Sequence, residues 1–436
     1  MEESTRAQDA TRGAEPGASG AIRHGLMLQL NEQLVLDFVH EQGSTTRPEI
    51  AAALGLSAAT VSRIIRRLVE RDLAREEPGA STGGRPRSTI SFNATSGCVI
   101  GIDLGGTKCH AMLADLSGEI LVEEVRATES DGSPFETLAT SIERLIRHRK
   151  RAGAALAAMA VGVPAIVDPA TGVAIGGPNV HWQGFPLVSE LRDRFDVPLV
   201  VDNDVNLASL GHAWKGDARG LSDFVVLSLG TGIGGAVVVD GALLKGQKSG
   251  AGEIGFMVLD RSLLRATRDD DLGAFETQAS GVGLAEMARE ALAATDVASS
   301  LRDRADIGSR EVLEEALAGD GVASGVVDSM IDYVAMAIIA TATVADPETV
   351  ILDGSVGRGL EPWIPELSVL VSRHIPVPPE IVVSSLGGES TAIGAIAAAL
   401  DLSRTHRGPR QGPAPAVSTL TRPLPIPSSV PQEAAR

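Results

Sequence analysis

Three short stretches carry side chains whose types and spacing suit phosphoryl and sugar chemistry. The first, Asp103-Leu104-Gly105-Gly106-Thr107-Lys108, places an acid and a glycine turn at the end of the apolar run 99–102. Glycines let backbone N–H groups come close to phosphate oxygens, and a carboxylate at a strand end can hold a magnesium ion directly or through water. The second, Gly230-Thr231-Gly232-Ile233-Gly234-Gly235, follows another apolar run. Two such turns in one chain imply two lobes closing on a nucleotide. The third, Asp202-Asn203-Asp204-Val205-Asn206, also ends an apolar run. A carboxylate there can accept the proton of a sugar hydroxyl as it attacks a phosphoryl group, with the flanking amides orienting the sugar. A purely structural turn rich in Asx residues has the same composition.

A different chemistry is written nearer the start. The chain of 436 residues has a formal net charge of −18, which would repel nucleic acid if spread evenly. Yet Arg63, Arg66, Arg67, Arg71, Arg75, Arg85 and Arg87 lie in one segment, against only Glu70, Asp72, Glu76 and Glu77. Any DNA binding must therefore be local to it. Thr46-Arg47-Pro48-Glu49 reads as a capping box with proline in the first turn, opening a helix that ends at Gly55. Ser57 can cap a further helix with Val61, Ile64, Ile65 and Leu68 on its inner face. Two helices joined by a glycine-containing turn make a helix-turn-helix. The reading face would be Ser57, Ala58, Ala59, Thr60, Ser62, Arg63 and Arg67, with small residues at the helix start allowing close approach to bases. Downstream, Gly83-Gly84-Arg85-Pro86-Arg87 interrupts a hairpin over about 74–92, a wing that presents Arg85 and Arg87 to phosphate or the minor groove. A helical protein-binding module with a solvated basic face is the competing reading. The tight turn, the wing arginines and a reading face without acids argue against it.

The elements that must position these residues follow from pattern. Apolar residues make up 44% and aromatics only 3%, so the core rests on Val, Ile, Leu and Ala, as suits buried parallel strands under helices. Strands are expected over 99–102, 157–161, 199–201, 224–229, 236–239 and 350–352, and helices over 135–147, 283–293, 329–343 and 392–400. The first helix is expected to turn Leu34, Val35, Phe38 and Val39 inward. Residues 1–22 read as a disordered leader, 23–92 as a winged helix-turn-helix, 97–400 as a two-lobed α/β domain, and 403–436 as a proline-rich disordered tail. No apolar run is expected to span a bilayer, and no secretory signal stands at the start. Cys98 and Cys109 form neither a disulfide framework nor a metal-ligand spacing. A cytoplasmic protein with no membrane partner is expected.

Taken together, these motifs resemble the ROK family (repressors, open reading frames, kinases). The resemblance runs over about 97–400 through Asp103–Lys108, Gly177-Pro178-Asn179, Asn203-Asp204-Val205-Asn206, the turn at 230–235, Gly252-Glu253-Ile254-Gly255 and the glycines over 387–394. The preceding module resembles the winged helix-turn-helix of the family's repressor branch, through Gly55-Leu56-Ser57, Thr60-Val61-Ser62 and Gly84-Arg85-Pro86. The resemblance implies an actin-like, sugar-kinase fold. It makes Asp204 the position of the kinases' catalytic base, with Asn179, Asn203, Glu253 and Glu276 around the sugar. Asp103, Gly105, Gly106, Thr107, Lys108, Gly230, Thr231, Gly232 and Gly354 fall at the nucleotide-binding surface, with ATP and Mg as the implied cofactors.

One departure is sharp. The family usually has a His after the Gly-Glu-Ile-Gly stretch and then a cysteine run, which together hold zinc. Here the His position is Phe256, and 264–275 contains no cysteine. Neutral His and thiolates make such a site, so no zinc and no other metal site is expected. Asp269, Asp270 and Asp271 read as a solvated loop. Phe256 also removes a polar partner for a sugar hydroxyl, at a cost of about 1–3 kcal/mol if the hydroxyl is left unpaired. Two functions follow. The first is a repressor of carbohydrate-metabolism genes, a homodimer or homotetramer that binds operator DNA and senses a small sugar or sugar phosphate. The second is an ATP-dependent hexose or N-acetylhexosamine kinase with a fused DNA-binding domain.

Overall fold

The computed structural model describes residues 16–78, 88–176, 182–265 and 272–405. The chain divides into two compact units between Ser96 and Gly97. In the first, α1 (Pro16–Gln42) is followed by β1 (Ser44–Thr45), α2 (Arg47–Leu54), α3 (Ala58–Glu70), β2 (Ala74–Glu77) and β3 (Thr89–Phe92). The strands form a sheet in the order β1-β3-β2, antiparallel throughout. Val35, Val39, Ile50, Val61, Ile64, Ile65, Leu68 and Ile90 form its core. The turn between α2 and α3 needs Gly55, whose φ is +63°, a conformation open to glycine at little cost.

Three details of this unit differ from the sequence reading. Helix α1 begins at Pro16, so residues 16–22 are helical rather than leader. Proline suits a first helical turn, and extending a formed helix costs far less than nucleating one. Leu34 is 52% exposed while Leu36 is buried, because the inward stripe of α1 is centred on Val35 and Val39. Only half of the capping box forms: the Thr46 N–H donates to Glu49 Oε2 at 2.8 Å, but Thr46 Oγ1 has no hydrogen-bond partner among the described residues.

The second unit is built on two five-stranded sheets. The first has the order β10-β7-β4-β5-β6, from β4 (Gly97–Leu104), β5 (Lys108–Asp115), β6 (Ile120–Ala127), β7 (Ala155–Val163) and β10 (Leu199–Asn203). Its strands β4, β7 and β10 are parallel, whereas β5 and β6 are antiparallel, so the sheet is mixed rather than wholly parallel. A ribbon of β8 (Ile166–Val167) and β9 (Ala174–Ile175) follows β7. Helices α4 (Pro134–Ala152) and α5 (Leu187–Arg194) belong to this half, and α6 (Asp204–Lys215) leads out of β10.

The other sheet has the order β13-β12-β11-β14-β15, from β11 (Phe224–Leu229), β12 (Ile233–Val239), β13 (Ala242–Leu243), β14 (Thr349–Asp353) and β15 (Glu380–Val383). Around it lie α7 (Glu276–Ala279), α8 (Gly281–Ala294), α9 (Ser309–Leu317), α10 (Gly321–Ala345), α11 (Gly354–Gly359) and α12 (Ile364–Ser372). The chain then returns through α13 (Ser390–Thr405), two residues beyond the boundary expected at 403.

Helix α10 corrects another expectation. Its mean hydropathy of 1.6 over 18 residues makes it long and apolar enough to cross a bilayer. Asp328 and Asp332 break the run on a first reading. The helix instead buries Val326, Val327, Met330, Ile331, Val334 and Ile338 in the core of the second lobe.

Helices α6 and α13 pack backbone against backbone. A methyl at Gly394 would lie 1.7 Å from Leu207 O, and one at Gly211 would lie 2.2 Å from Ser390 O. This approach brings the start of α13 beside the start of α6, where Thr391 Oγ1 donates to Asp204 O at 3.1 Å.

Candidate functional site

The carboxyl ends of β4, β10, β11 and β14 open onto one cleft of about 710 Å³ between the two sheets. Sites of this size at strand ends are where α/β sheets bind small ligands. The fold brings Asp103, Gly105, Gly106, Thr107, Lys108, Asn203, Asp204, Gly230, Thr231, Gly232, Glu253, Glu276 and Gly354 to its walls. Asn179, the remaining sugar-site candidate, lies outside the described residues, as do Asp269, Asp270 and Asp271.

The two glycine turns are held differently. In the first, Gly105 N donates to Lys108 O at 2.8 Å and Thr128 Oγ1 donates to Gly105 O at 2.7 Å. The second is tied from below: Gly281 N donates to Gly230 O at 2.7 Å, and Glu276 Oε1 accepts from Ile233 N at 2.8 Å. Glu276 Oε2 accepts from Gly273 N at 2.5 Å, so both oxygens of this sugar-site candidate brace backbone. Beyond β14, Gly354 has φ of +79°, and a methyl there would lie 2.3 Å from Leu229 O, so only glycine fits.

At the other end, Asn203 is the N-cap of α6, its Oδ1 accepting from Val205 N at 2.9 Å and Asn206 N at 3.3 Å. Asp204 is therefore the first residue of a helix, where the helix dipole favours negative charge. The Asx-rich turn and the base position thus coexist, the amide capping while Asp204 faces the cleft. Asp202 turns away and receives Asn206 Nδ2 at 3.0 Å and Lys245 Nζ at 2.6 Å.

Burial pushes Asp204 up to about 8, with the charges of Asp103 and Glu253 adding to the rise. Asp103 goes up to about 7 for the same reason, with Lys108 opposing and Asp353 adding. Glu253 is raised by burial and by Glu276. Carboxylates with raised basicity lining a cleft suit hydroxyl recognition and general-base work.

Several residues of the cleft escaped the sequence reading. Asp353 ends β14 immediately before Gly354, the same strand, acid and glycine pattern as Asp103, which could have marked it. Burial alone would raise it, but His212 and Ser390 hold it well below the usual carboxylate range. His212 is wholly buried, with Nε2 3.4 Å from Asp353 Oδ2 and Nδ1 3.2 Å from Asp217 Oδ2. Burial would lower its pKa, and these two carboxylates outweigh that and raise it. Arg358, Trp182 and Ile175 also line the cleft, beside Phe256, which is 49% exposed. Phe256 has no donor atom for zinc, and among the described residues no three His, Cys, Asp or Glu are grouped to hold a metal ion.

In the first unit, Ser57 caps α3, its Oγ accepting from Thr60 N at 3.1 Å. Ala59 and Arg63 are exposed, and Thr60 and Ser62 half-buried, along the face opposite the buried stripe. Arg67 is engaged: its Nη2 lies 3.6 Å from Glu32 Oε2, and Arg71 pairs with the same Glu32, which is buried on α1. Arg47 pairs with Glu76 across the unit. Arg85 and Arg87 lie outside the described residues.

The description of the ROK family matches residues 99–401. The chain belongs to the ROK family. The MarR family matches residues 28–83, so a MarR-type helix-turn-helix precedes the ROK domain. A xylose repressor of Caldicellulosiruptor bescii is 31% identical over 241 residues, 54% of this chain and 60% of the repressor. A glucokinase of Halalkalibacterium halodurans is 28% identical over 305 residues, 68% of this chain and 92% of the glucokinase. The chain thus spans about 60% of the length of that repressor. The crystal structure of a ROK family transcriptional regulator, a homolog of the Escherichia coli MLC protein, covers 87% of this chain and 98% of its own, with a TM-score of 0.73 and 21% identity. This likeness bears on the fold of the ROK domain and the helix-turn-helix.

Proposed function

We propose that this chain is a sugar-responsive DNA-binding regulator of transcription, a repressor of carbohydrate-metabolism genes. The observation that carries the reading is one chain holding both a capped helix with an exposed Arg63 on its outer face and a ROK cleft with Asp204 at its floor. The similarity to a xylose repressor supports the same assignment. Ser57, Ala59, Thr60, Ser62, Arg63 and Arg67, with Arg85 and Arg87 of the wing, are the proposed DNA contacts. Asn179, Asn203, Asp204, Glu253 and Glu276 surround the sugar. Asp103, the glycine turns, Lys108 and Gly354 face a nucleotide with its magnesium. Zinc has no part in it.

The domains proposed are a leader, a winged unit to residue 92, the ROK domain over 97–400 and a proline-rich tail. The protein acts in the cytoplasm as a homodimer or homotetramer, because two-fold dimers reading two half-sites are the usual geometry for this motif. Footprinting on genomic fragments, with and without xylose, glucose and N-acetylglucosamine, tests the reading. A protected palindrome whose occupancy changes with one sugar is expected, and no protected site at physiological salt would overturn it.

A second reading is an ATP-dependent hexose kinase, favoured by Asp103, Asp204 and both glycine turns meeting in one cleft. A coupled ADP-release assay over hexoses and N-acetylhexosamines decides it, with Asp204→Ala as the control. Turnover abolished by that change establishes catalysis; no turnover on any sugar rejects it.

A further inference from the structure

Cations are scarce in the cleft. Among the described residues lining it, Asp103, Asp204, Glu253, Glu276 and Asp353 face only Lys108 and Arg358. These two come from opposite lobes, Lys108 from the start of β5 and Arg358 from α11, yet both reach the turn before α13. Lys108 Nζ lies 3.4 Å from Gly388 O, and a methyl built on Gly388 would lie 3.1 Å from Arg358 Nη2.

Arg358 is set rather than consumed by its surroundings. Its Nη1 is 3.5 Å from Asp353 Oδ1, a long contact for an arginine and a carboxylate. Asp353 is committed elsewhere: Oδ2 accepts from Ser390 Oγ at 2.5 Å and faces His212, and Oδ1 accepts from Gly354 N at 2.8 Å. The remaining guanidinium donors have no hydrogen-bond acceptor among the described residues, and the side chain is 28% exposed. A guanidinium held at one corner, with the rest of its fork open to a cleft, is preorganised for a planar or tetrahedral oxyanion.

We propose that Arg358 is a phosphate ligand that, with Lys108 across the cleft, clamps the polyphosphate of a nucleoside di- or triphosphate and so selects phosphorylated over unphosphorylated ligands. The assignment rests on reading the cleft as a joint sugar and nucleotide pocket. Asp353 acts as a positioning residue, and His212 positions Asp353 in turn.

The test is calorimetric titration of the full chain with MgADP, adenosine, inorganic pyrophosphate, xylose and glucose, for the unaltered protein and for Arg358→Gln, Arg358→Lys and Lys108→Gln. Arg358→Gln is expected to weaken MgADP and pyrophosphate at least tenfold and leave adenosine within twofold, with Arg358→Lys recovering part of the loss. Equal weakening of MgADP and adenosine, or unchanged MgADP binding, overturns the clamp. An unaltered chain that binds a sugar but neither MgADP nor pyrophosphate overturns it too, while the sugar reading stands. Selective loss of MgADP in a chain that binds none of the sugars supports the clamp and counts against the sugar reading.

Discussion

The helix-turn-helix unit and the ROK cleft hold charge in opposite ways. In the first, arginines outnumber acids only over residues 63–87, and carboxylates lock some arginines of the unit in place: Glu32 takes Arg67 and Arg71, Glu76 takes Arg47, and Arg63 stays exposed. In the second, carboxylates gather with few cations, and burial raises the affinity of Asp103, Asp204 and Glu253 for protons. Surface charge in water can be left in surplus and used for long-range attraction to a polyanion. Charge in a cleft cannot, so it waits for a proton, a hydroxyl or a cation. The first arrangement suits reading DNA and the second suits sensing a small polar ligand.

The largest expected effect breaks the cleft alone. Gly394→Ala puts a methyl against Leu207 O, where backbone cannot yield, and should cost the ROK domain about 3 kcal/mol or more. Differential scanning calorimetry should show its transition falling while that of the N-terminal unit stays in place. A shared shift would mean that the two units unfold together.

Arg63→Ala attacks the other side. It should weaken binding to the footprinted site by about 1–3 kcal/mol, read by gel shift, and leave sugar titrations unchanged. Glu32→Ala separates scaffold from contact, because it releases Arg67 and Arg71 together. Both arginines are about 40% exposed, so solvent screening limits the loss of unit stability to about 1 kcal/mol in urea unfolding. If Arg67 also reads phosphate, its release should tighten rather than weaken non-specific DNA binding.

The smallest effect is a slope with pH. Asp204 and Asp103 start from 3.8 and rise to about 8 and about 7 on folding. Between about pH 4 and 8 the folded ROK domain therefore holds protons that the unfolded chain has released. Its stability should fall as pH rises through that window. Asp204→Asn should flatten the fall in thermal midpoint between pH 5 and pH 8.5. An unchanged slope would assign it to other groups.

Legibility differed with burial. Helix α3 could be read because one face is wet: Val61, Ile64, Ile65 and Leu68 recur at helical spacing against polar neighbours. Helix α6 could not, because residues 205–213 are all buried and no amphipathic stripe remains to betray the period. Strand β6 was passed over for a related reason. Its half-buried face carries Val122, Glu124 and Arg126 while Leu121, Glu123 and Val125 face out at the edge of a sheet, so polarity does not follow burial along the strand. The glycine turns and Asp204 stood out as motifs, while Arg358 and His212 carry no local signature. Their meaning comes from Asp353, 5 residues from one and 141 from the other.

Chemistry carried by backbone conformation and neighbouring side chains is local, and for that the sequence suffices. The glycine turns, the capped α3, the arginine-rich segment and the lost zinc ligand at Phe256 are all of this kind. The convergence of strand ends on one cleft is not. It depends on helices that meet through Gly211 and Gly394, and close packing of distant segments is a property of the folded whole. The same packing made Glu276 a brace for backbone as well as part of the cleft wall, buried α10 despite its hydropathy, and tied Arg67 to Glu32.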